Sequence, residues 1–404
     1  MVNYIRLKVA KHIVEKTISL NKDLLNDLRQ EDFKGYDPFD FLNSKIFQFT
    51  PFKYSKWFRL AWLQLGKHLP LNLRPLLLVP KKRNPKGIAL IISGLIQDYK
   101  RTNEKKYLSE ANSLAEWLLT QRCNSAKWKY SCWSYHFDWQ ARSFYVPTGK
   151  PNIITTFYVA RALYDLGKIN NEEKFMTAAL DSAKFMTLNL YQEQEGNSFF
   201  GYIPGEKTLV HNANLLGSAW CAFAGKQLND TKMIDQALKA AKLSVNEQTK
   251  DGAWLYGSNN FHNFIDGFHT GYNLEALNFI KDTLKISDFD KNIEIGYHYY
   301  LNNFFEKDGT VKYYNNSQYP LDMHSFAQAI LTLLKVGNKN SDHSFSEIVI
   351  NRAIELMYMP NKKRFIYQRR KWFVNKINYM RWTQAWSYYS LAYYNNFKSG
   401  SDHE

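Results

Sequence analysis

The sequence predicts an all-α fold, a closed toroid of six helical hairpins, on three observations. Segments with helical periodicity recur in pairs at nearly constant spacing. Each of the first five pairs is followed by one short punctuation: an apolar residue, any residue, then tyrosine. The first members of the pairs, such as YVARALYDLG, LLGSAWCAFAG, NLEALNFI and FAQAILTLL, are apolar and rich in small residues, so they need cover on every side.

Taken in order, residues 1–30 read as an amphipathic helix with Ile5, Val9, Ile13 and Ile18 on roughly one side. Charges interrupt every apolar run of MVNYIRLKVAKHIVEKTISL, which reads as neither a signal peptide nor a spanning helix. Residues 35–86 are less regular: GYDPFDFLNSK, an aromatic helix around KWFRLAWLQL, then an extended connector with four prolines from Pro70 to Pro85. Residues 1–86 are expected to form an N-terminal helical extension, 87–397 the toroid, and 398–404 a tail. Inner helices are expected to begin near Ile88, Ile153, Asn212, Thr270, Met323 and Trp382, with gaps of 65, 59, 58, 53 and 59 residues. More charged partners are expected at 104–122, 171–189, 230–247, 289–305 and 344–357. The punctuation follows as WKY (128–130), FGY (200–202), WLY (254–256), VKY (311–313) and FIY (365–367), several after turn pairs such as Glu195-Gly196 and Asp251-Gly252. Short β-like strands are expected in these loops. Tetratricopeptide or armadillo-like solenoids have shorter repeats without long aromatic loops. In a ring, all the long loops empty onto one end, at the N-termini of the inner helices.

Lys and Arg outnumber Asp and Glu by 53 to 37, giving a formal charge of +16 that suits acidic glycans, nucleic acid or a lipid headgroup layer. The basic residues are scattered and no nucleic-acid motif is present, so nucleic acid ranks last. The 27 Phe, 27 Tyr and 11 Trp are rich for stacking on sugars, although most must fill a helical core. Cys123, Cys132 and Cys221 make an odd number with no CxxC pair, which fits a reducing compartment. The chain reads as cytoplasmic, with room for a peripheral membrane contact.

The loops carry the chemistry. Asp251 to Leu277, DGAWLYGSNNFHNFIDGFHTGYNLEAL, brings His262, Asp266, His269 and Asn273 to a helix start. His211, His269 and His324 are expected at equivalent places in three consecutive units, converging on the axis. Asp138, Asp266 and Asp322 could supply the carboxyl pair of a glycoside hydrolase. Proton abstraction beside a uronate carboxylate needs a His or Tyr base, an opposing acid and a group to steady the enolate. His269 oriented by Asp266 is expected as that base, with His211 or His324 opposite. Tyr135, Asp138 and Trp139 would form the cleft wall and Arg381 would face the sugar carboxylate, while Arg142, Asn212, Trp254, Tyr256 and Trp382 add substrate contacts. Each has a plainer reading, since Asp266, Asn212 and Asp322 sit where helix N-caps sit. No HxH or HExxH spacing and no phosphate-binding glycine loop occurs, so neither metal nor cofactor is expected.

GYDPFDFLNS (35–44), LNLRPLL (71–77), WSYHFDWQAR (133–142) and the TT-x-x-x-ARAL segment from Thr155 to Leu163 resemble the six-hairpin glycosidase-like toroids. Within them, the chain is similar to bacterial proteins encoded with exopolysaccharide and capsule assembly, over nearly its whole length from Gly35. The resemblance implies the (α/α)6 fold and the pathway, and a superfamily of hydrolases, unsaturated-uronyl hydrolases, epimerases and lyases. Gln248, Gly252 and Trp254 also match the Q-x3-G-x-W repeat of squalene and terpene cyclases. Their initiating Asp-rich motif is missing, so this match reads as a helix-end stitch. The expected function is acid/base chemistry on an anionic, uronate-containing glycan of surface-polysaccharide production. The alternative is a non-catalytic glycan- or partner-binding toroid.

Overall fold

The computed structural model describes residues 2–401 apart from 143, 195, 338 and 339, and side chains from 13 to 400. The turn expected at Glu195 and the faces of Ile5 and Val9 lie outside these residues. Helices α1 (Val2–Gln30) and α2 (Lys56–His68) come first. Five hairpins follow: α3 (Pro85–Thr102) with α4 (Lys105–Thr120), α5 (Ile153–Asn170) with α6 (Glu173–Asn189), α7 (His211–Leu228) with α8 (Thr231–Asn246), α9 (Gly267–Leu284) with α10 (Asp290–Phe304), and α11 (Met323–Lys335) with α12 (Asn340–Met357). Helix α13 (Ala385–Ser401) is entered through a π-helical turn at Met380–Gln384.

The odd-numbered helices from α3 to α13 pack side by side, and α13 packs back on α3, so the ring is closed. Its sixth outer helix is α1, which lies against α13. Thr17 donates to Asn395 Oδ1 at 2.6 Å, and Ile13, Leu20 and Leu24 share a core with Leu391 and Tyr394. The segment read as an extension therefore completes the toroid by joining the two ends of the chain. Burial explains the composition of the inner helices: most of α7 is sealed, Trp220 and Cys221 included, because small residues let its neighbours approach. Asn103, Asn171, Asn229 and Lys285 end four of these helices with φ between 54° and 60°, the left-handed cap that turns the chain into the outer helix.

The tyrosine punctuation sets the register. The first backbone N–H of an inner helix donates to a tyrosine carbonyl in four cases: Ile153 to Tyr202, His211 to Tyr256, Gly267 to Tyr313 and Met323 to Tyr367, at 2.9–3.2 Å. Met380, opening the π-helical turn, donates likewise to Tyr36 at 3.1 Å. These bonds satisfy orphan donors of the helix starts and hold the loops at one end of the ring. In the first hairpin the equivalent of WLY (254–256) is WSY (133–135) rather than the expected WKY (128–130). Trp133 Nε1 donates to Leu118 O and Trp254 Nε1 to Ser244 O, both at 2.8 Å, so each indole fastens the end of an outer helix. Gln248 completes the second stitch by donating to Gly252 O and Asn292 O at 3.0 Å. Gly252 has φ +98°, and a Cβ there would meet Ile295 O at 2.3 Å.

Residues 33–84 lie across the mouth of the ring. Arg381 grips Asp37 with Nε and Nη2 at 2.6 and 2.8 Å, and Arg74 bonds Asp40 at 2.6 Å and Asp37 O at 2.9 Å. All four side chains are buried. Short strand pairs, 139–140 with 145–146 and 321–322 with 368–369 and 374–375, border the same end.

Removing one partner of a buried pair strands the other charge, so Asp37→Ala should lower stability by about 3–5 kcal/mol. Urea unfolding should show that loss, and Asp37→Ala with Arg381→Met should recover part of it. A single variant as stable as the parent would contradict this role.

Candidate active site

A tyrosine carbonyl pins the first residue of four inner helices and of the π-helical turn, while α3, which opens on Pro85, is set by its Asn84 cap, and the second residues fall in register around the axis. They include Lys86 on α3, Asn212 on α7, Phe268 on α9, His324 on α11 and Arg381 in the π-helical turn. The three histidines are not equivalent: His211 is first in its helix, His324 second and His269 third. At about 100° per residue these positions point differently, and the consequences are large.

His211 turns outward. Its Nδ1 lies 2.9 Å from Ser244 Oγ on the outer helix α8 and its Nε2 3.3 Å from Glu247, which caps that helix. His324 faces the axis with Nε2 against the Tyr272 hydroxyl, while its buried Nδ1 has no partner. Burial first, then the positive charges of Lys86, Arg381 and His269, hold its pKa well below the usual imidazole value. Its ring stacks on Phe268 at 4.8 Å and Trp386 at 4.6 Å. His269 is the more accessible imidazole, with 22% of its side chain exposed. Asp266 caps α9, accepting from His269 N at 2.9 Å through Oδ1 and lying 2.7 Å from His269 Nδ1 through Oδ2. The capping and orienting roles are thus played by one carboxylate. The Tyr256 ring lies 4.8 Å from His269, and the centroids of His269 and His324 lie 5.8 and 5.9 Å from Tyr272.

Asp322 is fully buried and caps α11 through His324 N at 2.9 Å. Gln368 Nε2 donates to it at 2.6 Å and Trp382 Nε1 at 3.1 Å. Burial nevertheless pushes its pKa up to about 6, against those three donors. Trp382 carries the ring beside His324, 4.5 Å away, and meets Phe39 at 5.4 Å. Tyr135 bonds Tyr202 through the hydroxyls at 2.7 Å, and Trp139 meets Tyr135, Tyr202 and Phe39 at 6.3, 5.5 and 6.3 Å. These rings wall the mouth, and Phe39 plugs it from the N-terminal segment.

Other expected residues are placed elsewhere or are occupied. Asp138 accepts from the Tyr145 hydroxyl at 2.5 Å and from Thr148 N and Oγ1 at 2.8 and 2.9 Å, which ties its own hairpin together. Arg381 spends its guanidinium on Asp37 and is not presented to a sugar. Trp254 is consumed by its stitch, Arg142 is exposed on its loop, and Asn212 is buried with an unpartnered Oδ1.

Two lysines were missed in the sequence. Lys86 sits over the rings of Tyr158, Tyr272 and Trp386, at 4.3, 5.3 and 5.3 Å. Burial, followed by the Arg381 charge, moves its pKa well below the ordinary value. Lys67 reaches in from α2, its ammonium 4.9 Å from the Phe39 ring, with burial lowering its pKa and the charges of Asp322 and Asp266 raising it. The second-residue register would have flagged Lys86. Nothing in the sequence ties α2 to the mouth.

The ring of Tyr158, Tyr272 and Trp386, with centroids 5.6–6.2 Å apart, forms a floor across the axis. Beyond it a cavity of about 680 Å³ opens toward the C-terminal ends of the inner helices. Its charges are mostly paired, Arg161 with Asp165 and Lys335 with Glu275, each at 2.8 Å. The titratable constellation lies on the other side of the floor.

The chain is similar in structure to a heparin-specific unsaturated glucuronyl hydrolase, with TM-score 0.63 and 11% identity over 97% of each chain. The chain has the fold of the six-hairpin glycosidase-like toroids. A cellobiose 2-epimerase from Bacillus thermoamylovorans matches with TM-score 0.61 and 12% identity, over 80% of this chain and 90% of that one. A D-mannose isomerase matches with TM-score 0.56 and 11% identity, over 78% and 87%. No family model and no curated protein matches the sequence.

A carboxyl raised by burial contributes stability that is complete below its unfolded pKa and is lost as pH rises through the folded value. For Asp322 that window runs from about 4 to about 6, with about 3 kcal/mol at stake. Asp322→Asn cannot ionise, so its melting temperature relative to the parent should climb between pH 4 and pH 7.5. A difference that does not change with pH would contradict the assignment.

Proposed function

We propose that the mouth removes and returns a carbon-bound proton on a uronate-containing glycan. The observation that carries this reading is that the carboxylates gathered there are already engaged. Asp266 holds His269, Asp322 takes three donors, and Asp37 and Asp40 are bound by arginines. What is left beside a ligand is a pair of imidazoles, His269 and His324, on either side of Tyr272.

With Nδ1 protonated and donating to Asp266, His269 keeps a lone pair on Nε2. That nitrogen takes the proton from the carbon next to the sugar carboxylate, and the C–H electron pair moves onto the carboxylate as an enolate. The Tyr272–His324 pair returns a proton at the other face, giving epimerisation; loss of a leaving group from the next carbon instead gives elimination. The enolate needs a cation, and Arg381 is taken. Lys67 at the roof and Lys86 at the floor serve, and an arriving carboxylate would offset the burial that lowers the pKa of Lys86. Both a uronyl-processing enzyme and an epimerase share the fold, which supports a carbohydrate-active enzyme over a binding toroid without titratable groups. Hydrolysis is the second reading. It rests on Asp322, whose pKa of about 6 would suit a general acid. The place in surface-polysaccharide production rests on the sequence resemblance, and the cytoplasmic reading on the three unpaired cysteines.

His269→Gln keeps size and some hydrogen bonding while removing the titration. It should lower turnover by roughly 100-fold or more with an unchanged melting temperature. Incubation of the parent with a uronate glycan in deuterium oxide should place deuterium at the carbon beside the carboxylate. Cleavage of a glycosidic bond without such exchange would favour Asp322 and hydrolysis.

A further inference from the structure

We infer that the protein docks on an anionic lipid bilayer through the N-terminal segment that roofs the mouth, together with the turn at 370–373. Twelve of the seventeen exposed large apolar side chains among the described residues fall in 46–78 or at 372–373. Phe49, Tyr54, Trp57, Leu71, Leu76 and Trp372 are 90%, 77%, 75%, 67%, 74% and 84% exposed. A monomer in water rarely gathers so many, and patches of this kind mark interfaces. The other five are scattered over the ring.

Charge identifies the partner. Residues 41–97 contain no Asp or Glu and ten Lys or Arg, and residues 356–401 contain none of the acids either. Lys45, Lys56, Lys371 and Lys376 are exposed among the apolar side chains. The two segments adjoin: Arg370 Nη2 lies 2.8 Å from His68 Nδ1, and Asn375 Nδ2 donates to Leu69 O at 3.3 Å. Tryptophan, tyrosine and leucine interleaved with lysine and free of acids match an anionic headgroup layer over an acyl boundary. Protein interfaces are instead depleted in lysine. A soluble polyanion would use the lysines but leave Phe49, Leu71 and Leu76 without a purpose. No helix among the described residues is long and apolar enough to cross a membrane, so the contact is peripheral.

The inner side of the same helix faces the site. Gly66 of α2 packs on Phe41, Arg59 bonds Gln140 at 2.8 Å, and Lys67 reaches the mouth. A bilayer under α2 therefore lies beside the entrance, where a glycan carried on a lipid would enter. The docking surface itself stands whether or not His269 is a base.

The test is sedimentation of the full chain with phosphatidylcholine vesicles, with and without phosphatidylglycerol. The protein should sediment with the anionic vesicles only and be released by high salt. Replacing Lys45, Lys56 and Lys371 by Gln should weaken the partition by about 100-fold. Trp57→Ser with Trp372→Ser should weaken it by at least about tenfold, with both variants melting like the parent. Equal sedimentation with both vesicle types, none with either, or unchanged binding of the variants would overturn the inference. So would a dimer in sedimentation velocity that the tryptophan variant dissociates while vesicles bind neither form.

Discussion

The buried pair of Asp37 and Arg381 joins the two ends of the chain across the mouth of the ring. Asp37 follows Tyr36, whose carbonyl receives Met380 N, so the carboxylate and that carbonyl together fix the entry into the last inner helix. That entry is the one inner-helix start made as a π-helical turn, a rare form found frequently at functional sites. The same carboxylate lies beside Asp40 and Arg74, so the pair also anchors the segment that carries Phe39 over the mouth. A buried ion pair is weak as a source of stability, but it specifies one arrangement, and here the arrangement is the ring itself.

Register decides which side chains this closure brings together. Once tyrosine carbonyls pin the helix starts, a shift of one residue along an inner helix decides whether a side chain faces the axis or the outer layer. His324 and Lys86, second in their helices, face the axis; His211, first in its helix, faces Ser244. His269, third in its helix, is oriented by a carboxylate that also caps α9. Asp266 cannot be assigned to structure or to chemistry alone, since each of its oxygens does one task.

The ring was legible because its signals are local and repeated: helical period, inner-helix composition and the apolar-x-Tyr punctuation. The sixth outer helix escaped notice because it lies at the other end of the sequence, and a linear reading has no way to see that α1 pairs with α13. The displaced punctuation in the first hairpin has a similar origin. WKY and WSY both fit the pattern, and only the indole bond from Trp133 to Leu118 O separates them. At the site, Asp266 with His269 and the convergence of His324 were readable from spacing. The occupation of Arg381 by Asp37 was not, because the partners are 344 residues apart.

The central claim is that ligand chemistry belongs to the mouth at the N-termini of the inner helices and not to the cavity on the far side of the Tyr158, Tyr272 and Trp386 floor. A crystal structure of the protein with a uronate-containing oligosaccharide bound tests it most directly. The account predicts a sugar ring between His269 and His324, its carboxylate at Lys67 or Lys86, and Phe39 moved from its place against Trp382. Sugar held only in the cavity of Glu275 and Lys335, with Phe39 still in the mouth, would contradict it.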